Sequence, residues 1–464
     1  MIRYLVGHVI EVLKTLETES VHCVVTSPPY WGLRKYAGQQ EVVWGDPQCE
    51  HEWRDEVVSS GRSGGTRSST LGEKSGGHAI SEDGIVRSIK RSFVEKFKTY
   101  FCAKCDAWRG ALGLEPTPEL YVAHLVEVFR EVRRVLRKDG TVWLNMGDCY
   151  ASSPPGNKNP SHRYSAWKTG GVKRMSEDTE IRRSTIVSNL KPKDLVGMPW
   201  RVAFALQADG WWLRSDIIWS KPNPMPDSVE DRPTKSHEYV LLLAKSGRYF
   251  YDADAVREPA TRDRSGNVAR KENLQPTAGG KHFMRSIPWE NVGQGRNKRT
   301  VWQIPTHPYP GAHFATFPEA LVQPCILAGT SERGCCARCG KPWIRMIQVS
   351  YVKSPVHGEK SVVGRHYKTG ANRWDGSELP RVNKKVSTVG WEPGCHCQIN
   401  HPTITIGTKP CIVLDPFAGA GTTLLVARRL GRDAIGIDIC KEYREMALKR
   451  GELGLASLEK FTEG

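Results

Sequence analysis

The sequence predicts an α/β protein: a doubly wound, mostly parallel sheet with helices on both faces, carrying small zinc-ribbon-like insertions. Three observations predict it. Short apolar runs alternate with amphipathic stretches of helical period along most of the chain. Two of these runs, 21–25 and 412–415, each enter a tight turn rich in Pro or Gly, as strands do when they deliver loops to a ligand. At 464 residues, 39% of them apolar, the chain can also bury a sizeable core.

In chain order, 1–6 reads as a strand, 9–16 as a short amphipathic helix and 21–26 as a buried strand. That strand leads into Thr26-Ser27-Pro28-Pro29-Tyr30-Trp31, the candidate active site. Two consecutive prolines have fixed φ and no N–H, so the carbonyls of Ser27 and Pro28 can face outward as a rigid row of acceptors. The amino group of a nucleobase is a weak nucleophile because its lone pair is delocalised into the ring. The Ser27 hydroxyl and the Pro28 carbonyl can accept its two hydrogens, and Tyr30 offers a face for an extruded base.

Residues 31–110 lose all sustained period and read as an insertion bracketed by Cys49, His51, Cys102 and Cys105, two soft-ligand pairs able to close a tetrahedral zinc site. Regular structure returns with a helix over 116–136, ended by Gly140, and a strand over 141–146 that finishes in Gly147-Asp148. Residues 152–193 hold nine Lys or Arg against three Asp or Glu and read as a basic loop. A helix over 198–208 and strands over 211–219 and 239–244 follow, with a stiff proline loop at 221–226 between the strands. Residues 257–299 carry ten Lys or Arg against four Asp or Glu and are the candidate target-recognition segment. A helix over 319–327 follows Phe317-Pro318 and leads to Gly329-Thr330. A second insertion runs from Cys336 and Cys339 to Cys395 and Cys397, four thiols expected to hold a structural zinc, with Cys335 or His396 as substitutes.

The last apolar strand enters Asp415-Pro416-Phe417-Ala418-Gly419-Ala420-Gly421, followed by a helix over 424–430 and a strand over 434–437 ending in Asp438. No third glycine stands at dinucleotide spacing and no Gly-Lys-Ser/Thr follows, which disfavours NAD and nucleoside triphosphates and leaves an adenosyl ligand. Asp438 is placed to accept both ribose hydroxyls.

Lys and Arg exceed Asp and Glu, 67 against 50, a net +17 that suits a polyanion partner. No apolar run reaches membrane-spanning length and no secretory leader is evident, so a cytoplasmic, reducing setting is expected, in which the thirteen cysteines serve as metal ligands rather than disulfides.

With both turns in view, the sequence resembles the S-adenosylmethionine-dependent DNA amino-methyltransferases that modify cytosine N4 or adenine N6. The catalytic Thr-Ser-Pro-Pro-Tyr-Trp comes first and the Phe-Ala-Gly-Ala-Gly loop last, the permuted order of that family's β class. The resemblance implies that Ser27, Pro28, Pro29 and Tyr30 hold the target base. It implies that Asp415, Phe417, Ala418, Gly419, Gly421 and Asp438, with Phe317 and Thr330, line the cofactor pocket. Ser rather than Asp at the head of the motif implies cytosine N4, with adenine N6 the alternative. The expected partners are double-stranded DNA and a cognate restriction endonuclease. One departure is Gly7-His8, where relatives carry Gly-Asp after the first strand; it favours a rival reading, an inactive zinc-containing DNA-binding protein.

The chain divides accordingly: 1–48 catalytic half of the core; 49–110 first insertion; 111–255 core with the basic loop; 256–303 target recognition; 304–334 cofactor-side segment; 335–398 second insertion; 399–464 cofactor half.

Overall fold

A computed structural model describes residues 1–32, 41–54, 101–151, 190–191, 193–227, 229–258, 296–306, 316–353, 382–397 and 407–450. Most of the basic loop at 152–193, most of the candidate target-recognition segment at 257–299 and much of both insertions lie outside these residues.

The strands are β1 (Ile2–Val6), β2 (Val21–Thr26), β3 (Val42–Trp44), β4 (Trp108–Gly110), β5 (Leu136–Met146), β6 (Trp212–Ser220), β7 (His237–Ala244), β8 (Val301–Gln303), β9 (Cys335–Cys336), β10 (Trp343–Lys353), β11 (Val382–Pro393), β12 (Thr408–Lys409), β13 (Ile412–Asp415) and β14 (Asp433–Asp438). The helices are α1 (Val9–Lys14), α2 (Pro118–Val135), α3 (Met198–Ala208), α4 (Glu319–Gly329), α5 (Thr422–Arg429) and α6 (Lys441–Lys449).

Eight strands form one sheet in the order β1-β14-β13-β2-β5-β7-β6-β8. Every neighbouring pair is parallel except β5–β7 and β6–β7, so β7 alone runs against the rest. The expected mostly parallel sheet is therefore present, with strands from the C-terminal end of the chain seated between β1 and β2.

Period-two alternation assigns the two faces. On β2, Val24 joins one core while Cys23 and Val25 join the other, and Trp143 on β5 points away from Val142 and Leu144. The first face is covered by α1, α2 and α3, with Leu125, Val128, Phe129 and Val132 of α2 fully buried. The second is covered by α4, α5 and α6. Each such Leu, Val or Phe stabilises the fold by about 1.5–3 kcal/mol.

Several expectations are corrected. Gly140 does not end the second helix: α2 stops at Val135, and Gly140 lies inside β5, where a Cβ would strike Leu136 at 2.6 Å. Helix α2 starts at Pro118, because the Thr117 hydroxyl caps it by accepting the N–H of Leu120 at 3.2 Å. Val301–Gln303, to which the sequence reading gave no element, pairs with β6 as an edge strand. Inside the second insertion, β10 and β11 form a long antiparallel ribbon that periodicity did not reveal.

Candidate active site

The C-terminal ends of β2, β5, β13 and β14 lie on one sheet edge, and the reversal of β7 brings its first residues there as well. This is the crevice edge where open α/β sheets collect ligands.

The turn after β2 is held from several sides. Tyr121 of α2 donates its hydroxyl to the Pro29 carbonyl at 2.8 Å, and the Trp31 indole N–H donates to the Glu115 carbonyl at 2.9 Å. The Glu115 carboxylate is itself buried, accepting the Gly113 N–H at 2.7 Å and facing His124 Nδ1 at 2.9 Å. Two glycines permit close approach: a Cβ on Gly113 would lie 3.0 Å from the Tyr30 carbonyl, and one on Gly147 would lie 2.7 Å from the Tyr30 ring.

Ser27 and Tyr30 meet a polar group that sequence reasoning did not assign to the site. The Ser27 hydroxyl donates to Tyr30 Oη at 3.2 Å, and Tyr30 donates to Glu238 Oε2 at 2.8 Å. Asn145 directs Nδ2 to the same atoms, 2.8 Å from Tyr30 Oη, 3.1 Å from Glu238 Oε2 and 3.4 Å from Ser27 Oγ. Lys221, at the head of the proline loop, ion-pairs with Glu238 and stands 4.4 Å from the centre of the Trp219 ring. The available signal was a polar residue near the ligand end of an otherwise apolar strand: Asn145 on β5 and Glu238 on β7.

Asp148, at the end of β5, caps: its Oδ1 accepts the N–H groups of Cys149 and Met198, both at 2.9 Å.

Beside this turn sits the glycine loop. Asp415 is 1% exposed, and its carboxylate accepts Thr26 Oγ1 at 2.6 Å, Thr423 Oγ1 at 2.7 Å and the Phe417 N–H at 3.1 Å. It thus ties the catalytic strand to the loop from beneath, and burial pushes its pKa up to about 6. Gly419 and Gly421 have φ of 48° and 76°, the left-handed conformation that favours glycine, and Gly421 caps α5. Ala418 is buried and donates its N–H to the Ile437 carbonyl at 2.9 Å. Asp438 accepts the Gly419 N–H at 3.0 Å and the Cys440 N–H at 2.9 Å, and burial raises its pKa to about 6. The Tyr4 hydroxyl donates to the Gly419 carbonyl at 2.7 Å. After β1, His8 packs edge-on against Trp44, ring centroids 4.9 Å apart.

Phe317 reaches the same edge, lining a small cavity with Val25, Thr26, Trp143, Asn145, Val240, Leu321, Val322 and Cys325. Thr330 does not. Helix α4 runs from Phe317 down the sheet to its opposite edge, where Thr330 is fully buried, donates to the Ile326 carbonyl at 2.6 Å and accepts Arg432 Nε at 3.0 Å. The expectation that Thr330 lines the cofactor pocket is therefore corrected: one helix length separates the two residues.

The cysteines gather as the spacing suggested. The donor atoms of Cys49, His51, Cys102 and Cys105 lie within 4.8 Å of one another, as do those of Cys336, Cys339, Cys395 and Cys397. Cys335 belongs to neither group; it lies beside His22 and Cys411. That third group is not a ready metal site, because His22 uses both ring nitrogens, Nδ1 accepting the Ile412 N–H at 3.0 Å and Nε2 facing the Gly340 carbonyl at 2.9 Å. His396 joins no cluster among the described residues.

A family model described as DNA methylase, of the N6/N4 type, matches residues 21–337 and 400–449, spanning the Ser27 turn, the glycine loop and Asp438. The chain belongs to this family of S-adenosylmethionine-dependent DNA methyltransferases. It is 30% identical to the Type II methyltransferase M.SmaI of Serratia marcescens over 448 residues, covering 97% of this chain and 90% of that one. It is 36% identical to the Type II methyltransferase M.Cfr9I of Citrobacter freundii over 324 residues, 70% of this chain and 71% of the relative. The Type II methyltransferase M.SfiI of Streptomyces fimbriatus is 27% identical over 469 residues, with 94% and 88% covered. The gap in the DNA methylase match, 338–399, contains Cys339, Cys395 and Cys397, so the second cysteine group belongs largely to an addition to the methylase core. Among the described residues no helix is long and apolar enough to cross a membrane.

Proposed function

We propose that this DNA methyltransferase transfers the methyl group of S-adenosylmethionine to the exocyclic N4 of a cytosine flipped out of double-stranded DNA. The observation that carries the reading is Ser27 at the head of the Pro-Pro-Tyr turn, bonded to Tyr30 and sharing a sheet edge with the glycine loop and Asp438. The target amino group donates its hydrogens to Ser27 Oγ and the Pro28 carbonyl, which favours a pyramidal nitrogen with a localised lone pair. Bound S-adenosylmethionine would supply an electrophilic sulfonium methyl to that nitrogen and leave as the neutral thioether, the displaced amino proton passing to solvent. Tyr30 is the stacking platform. Its hydroxyl bonds and the Gly147 backbone against its ring fix the plane on which the base lies. Holding both reactants in line supplies much of the acceleration. Phe417, Gly419 and Gly421 cradle the cofactor, and Asp438 accepts its ribose hydroxyls. The strands carrying this loop follow the catalytic strands in sequence, in keeping with the permuted order of the β class.

Two structural zinc ions complete the proposal, one in each four-ligand group. Each group offers the complement of soft donors that a closed tetrahedral site needs. Bound zinc would cross-link chain segments and supply no reactive water. A restriction endonuclease that cuts the unmethylated site, and a cytoplasmic setting, fit an enzyme of this kind.

Digesting DNA methylated by the protein to nucleosides and separating them by mass spectrometry tests the assignment. N4-methylcytosine is expected. N6-methyladenine alone would overturn the choice of base.

A further inference from the structure

Two buried polar side chains beside the active site have no part in the chemistry above. Glu115 is 2% exposed and His124 6%, and His124 Nδ1 stands 2.9 Å from Glu115 Oε1, so one hydrogen lies between them. Apolar side chains of the same volume commonly hold a fold as well as a buried pair of this kind, because they incur no desolvation cost. The pair calls for a reason other than stability.

What each partner touches supplies one. Glu115 Oε2 accepts the Gly113 N–H at 2.7 Å, two residues back along the chain, and so fixes a turn in which Gly113 has φ of 92°. Gly113 lies directly against the base-holding turn. Its carbonyl accepts the Gly32 N–H at 2.9 Å, and an added Cβ would stand 3.0 Å from the Tyr30 carbonyl and 3.3 Å from that of Pro29. The Glu115 carbonyl takes the Trp31 indole N–H at 2.9 Å. Residues 29–32 thus rest on the short segment 113–115, whose shape depends on one carboxylate. On the other side, the His124 ring stacks with Trp44, centroids 4.6 Å apart at 19°, and with Trp108, 5.5 Å apart at 23°. These tryptophans are directly opposite each other on β3 and β4, and Trp44 donates its indole N–H to the Gly110 carbonyl at 3.2 Å. The same insertion carries Cys49, His51, Cys102 and Cys105.

We infer that Glu115 and His124 are positioning residues for methyl transfer: Glu115 sets the backbone on which the Pro29–Gly32 turn rests, and His124, held by Trp44 and Trp108, sets Glu115. This rests on the proposed reading of Ser27 and Tyr30 as the residues that hold the base. The first insertion is then a support of the active site as well as a carrier of soft ligands. A pair that only filled space would be exchangeable for an apolar side chain. A positioning pair is not, because the Gly113 N–H requires an acceptor at one place.

Rate and affinity separate the two roles. The measurements on the full chain are single-turnover methyl incorporation into duplex DNA and calorimetric titration with S-adenosylmethionine in the absence of DNA. Glu115→Leu keeps the volume and removes the acceptor; Glu115→Gln keeps an oxygen that can take the Gly113 N–H. Glu115→Leu is expected to slow transfer about 100-fold, the loss that a misplacement of about 1 Å brings, with cofactor affinity within about threefold of the parent. Glu115→Gln is expected to restore the rate to within about fivefold of the parent. His124→Phe keeps a ring against the indoles and is expected to slow transfer about tenfold; added to Glu115→Leu it should cost no more than about threefold further, as for two residues acting as one unit. Thermal melts establish that each variant is folded; if Glu115→Leu is not, Glu115→Gln and His124→Phe decide the question. A near-parent rate in Glu115→Leu or His124→Phe, a Glu115→Gln rate as low as that of Glu115→Leu, full additivity of the two changes, or a loss of cofactor affinity as large as the loss of rate would overturn the inference. A near-parent rate in Tyr30→Ala would instead sink the base-holding reading on which it rests.

Discussion

Gly147→Ala tests the active site by a single methyl group. An added Cβ would stand 2.7 Å from Tyr30 Cε2 and 3.0 Å from Cδ2, where carbon atoms rest comfortably only at about 3.5 Å or more. The ring must therefore retreat by roughly 0.5–1 Å, since the Gly147 backbone is continuous with β5 and cannot easily yield. Tyr30 Oη is anchored at 2.8 Å to both Glu238 and Asn145, so a shift of that size stretches these bonds by up to about 1 Å and weakens or breaks them. The stability cost of such overpacking is about 1–3 kcal/mol. The catalytic cost is larger in proportion, because a misplacement of about 1 Å of a group that orients a reactant lowers a rate by about 100-fold. Single-turnover methyl transfer to duplex DNA with radiolabelled cofactor should slow by about that factor, while cofactor affinity measured without DNA stays within threefold. A rate within threefold of the parent, in a variant whose melt is also unchanged, would show that the Tyr30 ring does not set the position of the base.

Metal analysis of the purified protein should find about two zinc ions per chain, and Cys339→Ser should lower the melting temperature rather than leave a stable, selectively inactive enzyme; a metal-free preparation that melts and works like the loaded one would refute both sites. Asp438 has its pKa raised by burial from an ordinary 3.8 to about 6, so the fold favours its protonated form: the stabilisation is full below about pH 4 and is lost as pH rises through 6, a difference of up to about 3 kcal/mol. Asp438→Ala, which removes the titrating carboxyl together with its two backbone bonds, should accordingly gain melting temperature relative to the parent on going from pH 5 to pH 7.5, and lose at least tenfold in cofactor affinity at pH 7.5. A gain independent of pH would contradict the raised pKa, and unchanged affinity would remove Asp438 from the ribose site.

How much was legible in the chain varied with the range of the interaction. Strands 21–26 and 412–415, the helix at 198–208 and the four closely spaced Cys/His pairs were readable because each rests on local pattern: period, turn residues and the spacing within a pair. The Ser27 and Gly419 turns were readable for the same reason, since Pro and Gly mark unusual backbone wherever they occur. Thr330 was misplaced because eleven helical residues separate it from the ligand edge, and a motif read as a string does not reveal which end of a helix faces which edge of a sheet.

Local pattern in the chain thus carried the individual strands and helices, the two Pro- or Gly-rich turns and the pairs Cys49/His51, Cys102/Cys105, Cys336/Cys339 and Cys395/Cys397, each a property of residues within a few positions of one another, whereas only folding brings two such pairs into one group. Only the tertiary structure decided what those turns meet. Asn145, Glu238 and Lys221 come from three different strand ends, 118, 211 and 194 positions along the chain from Ser27, and no periodicity links them to it. Asp415 likewise became a buried tie between β2 and the glycine loop because β13 inserts beside β2 across nearly the whole length of the chain. Strand order is set by which apolar faces can be buried together, a condition on the whole chain at once, and the site inherits its geometry from that order.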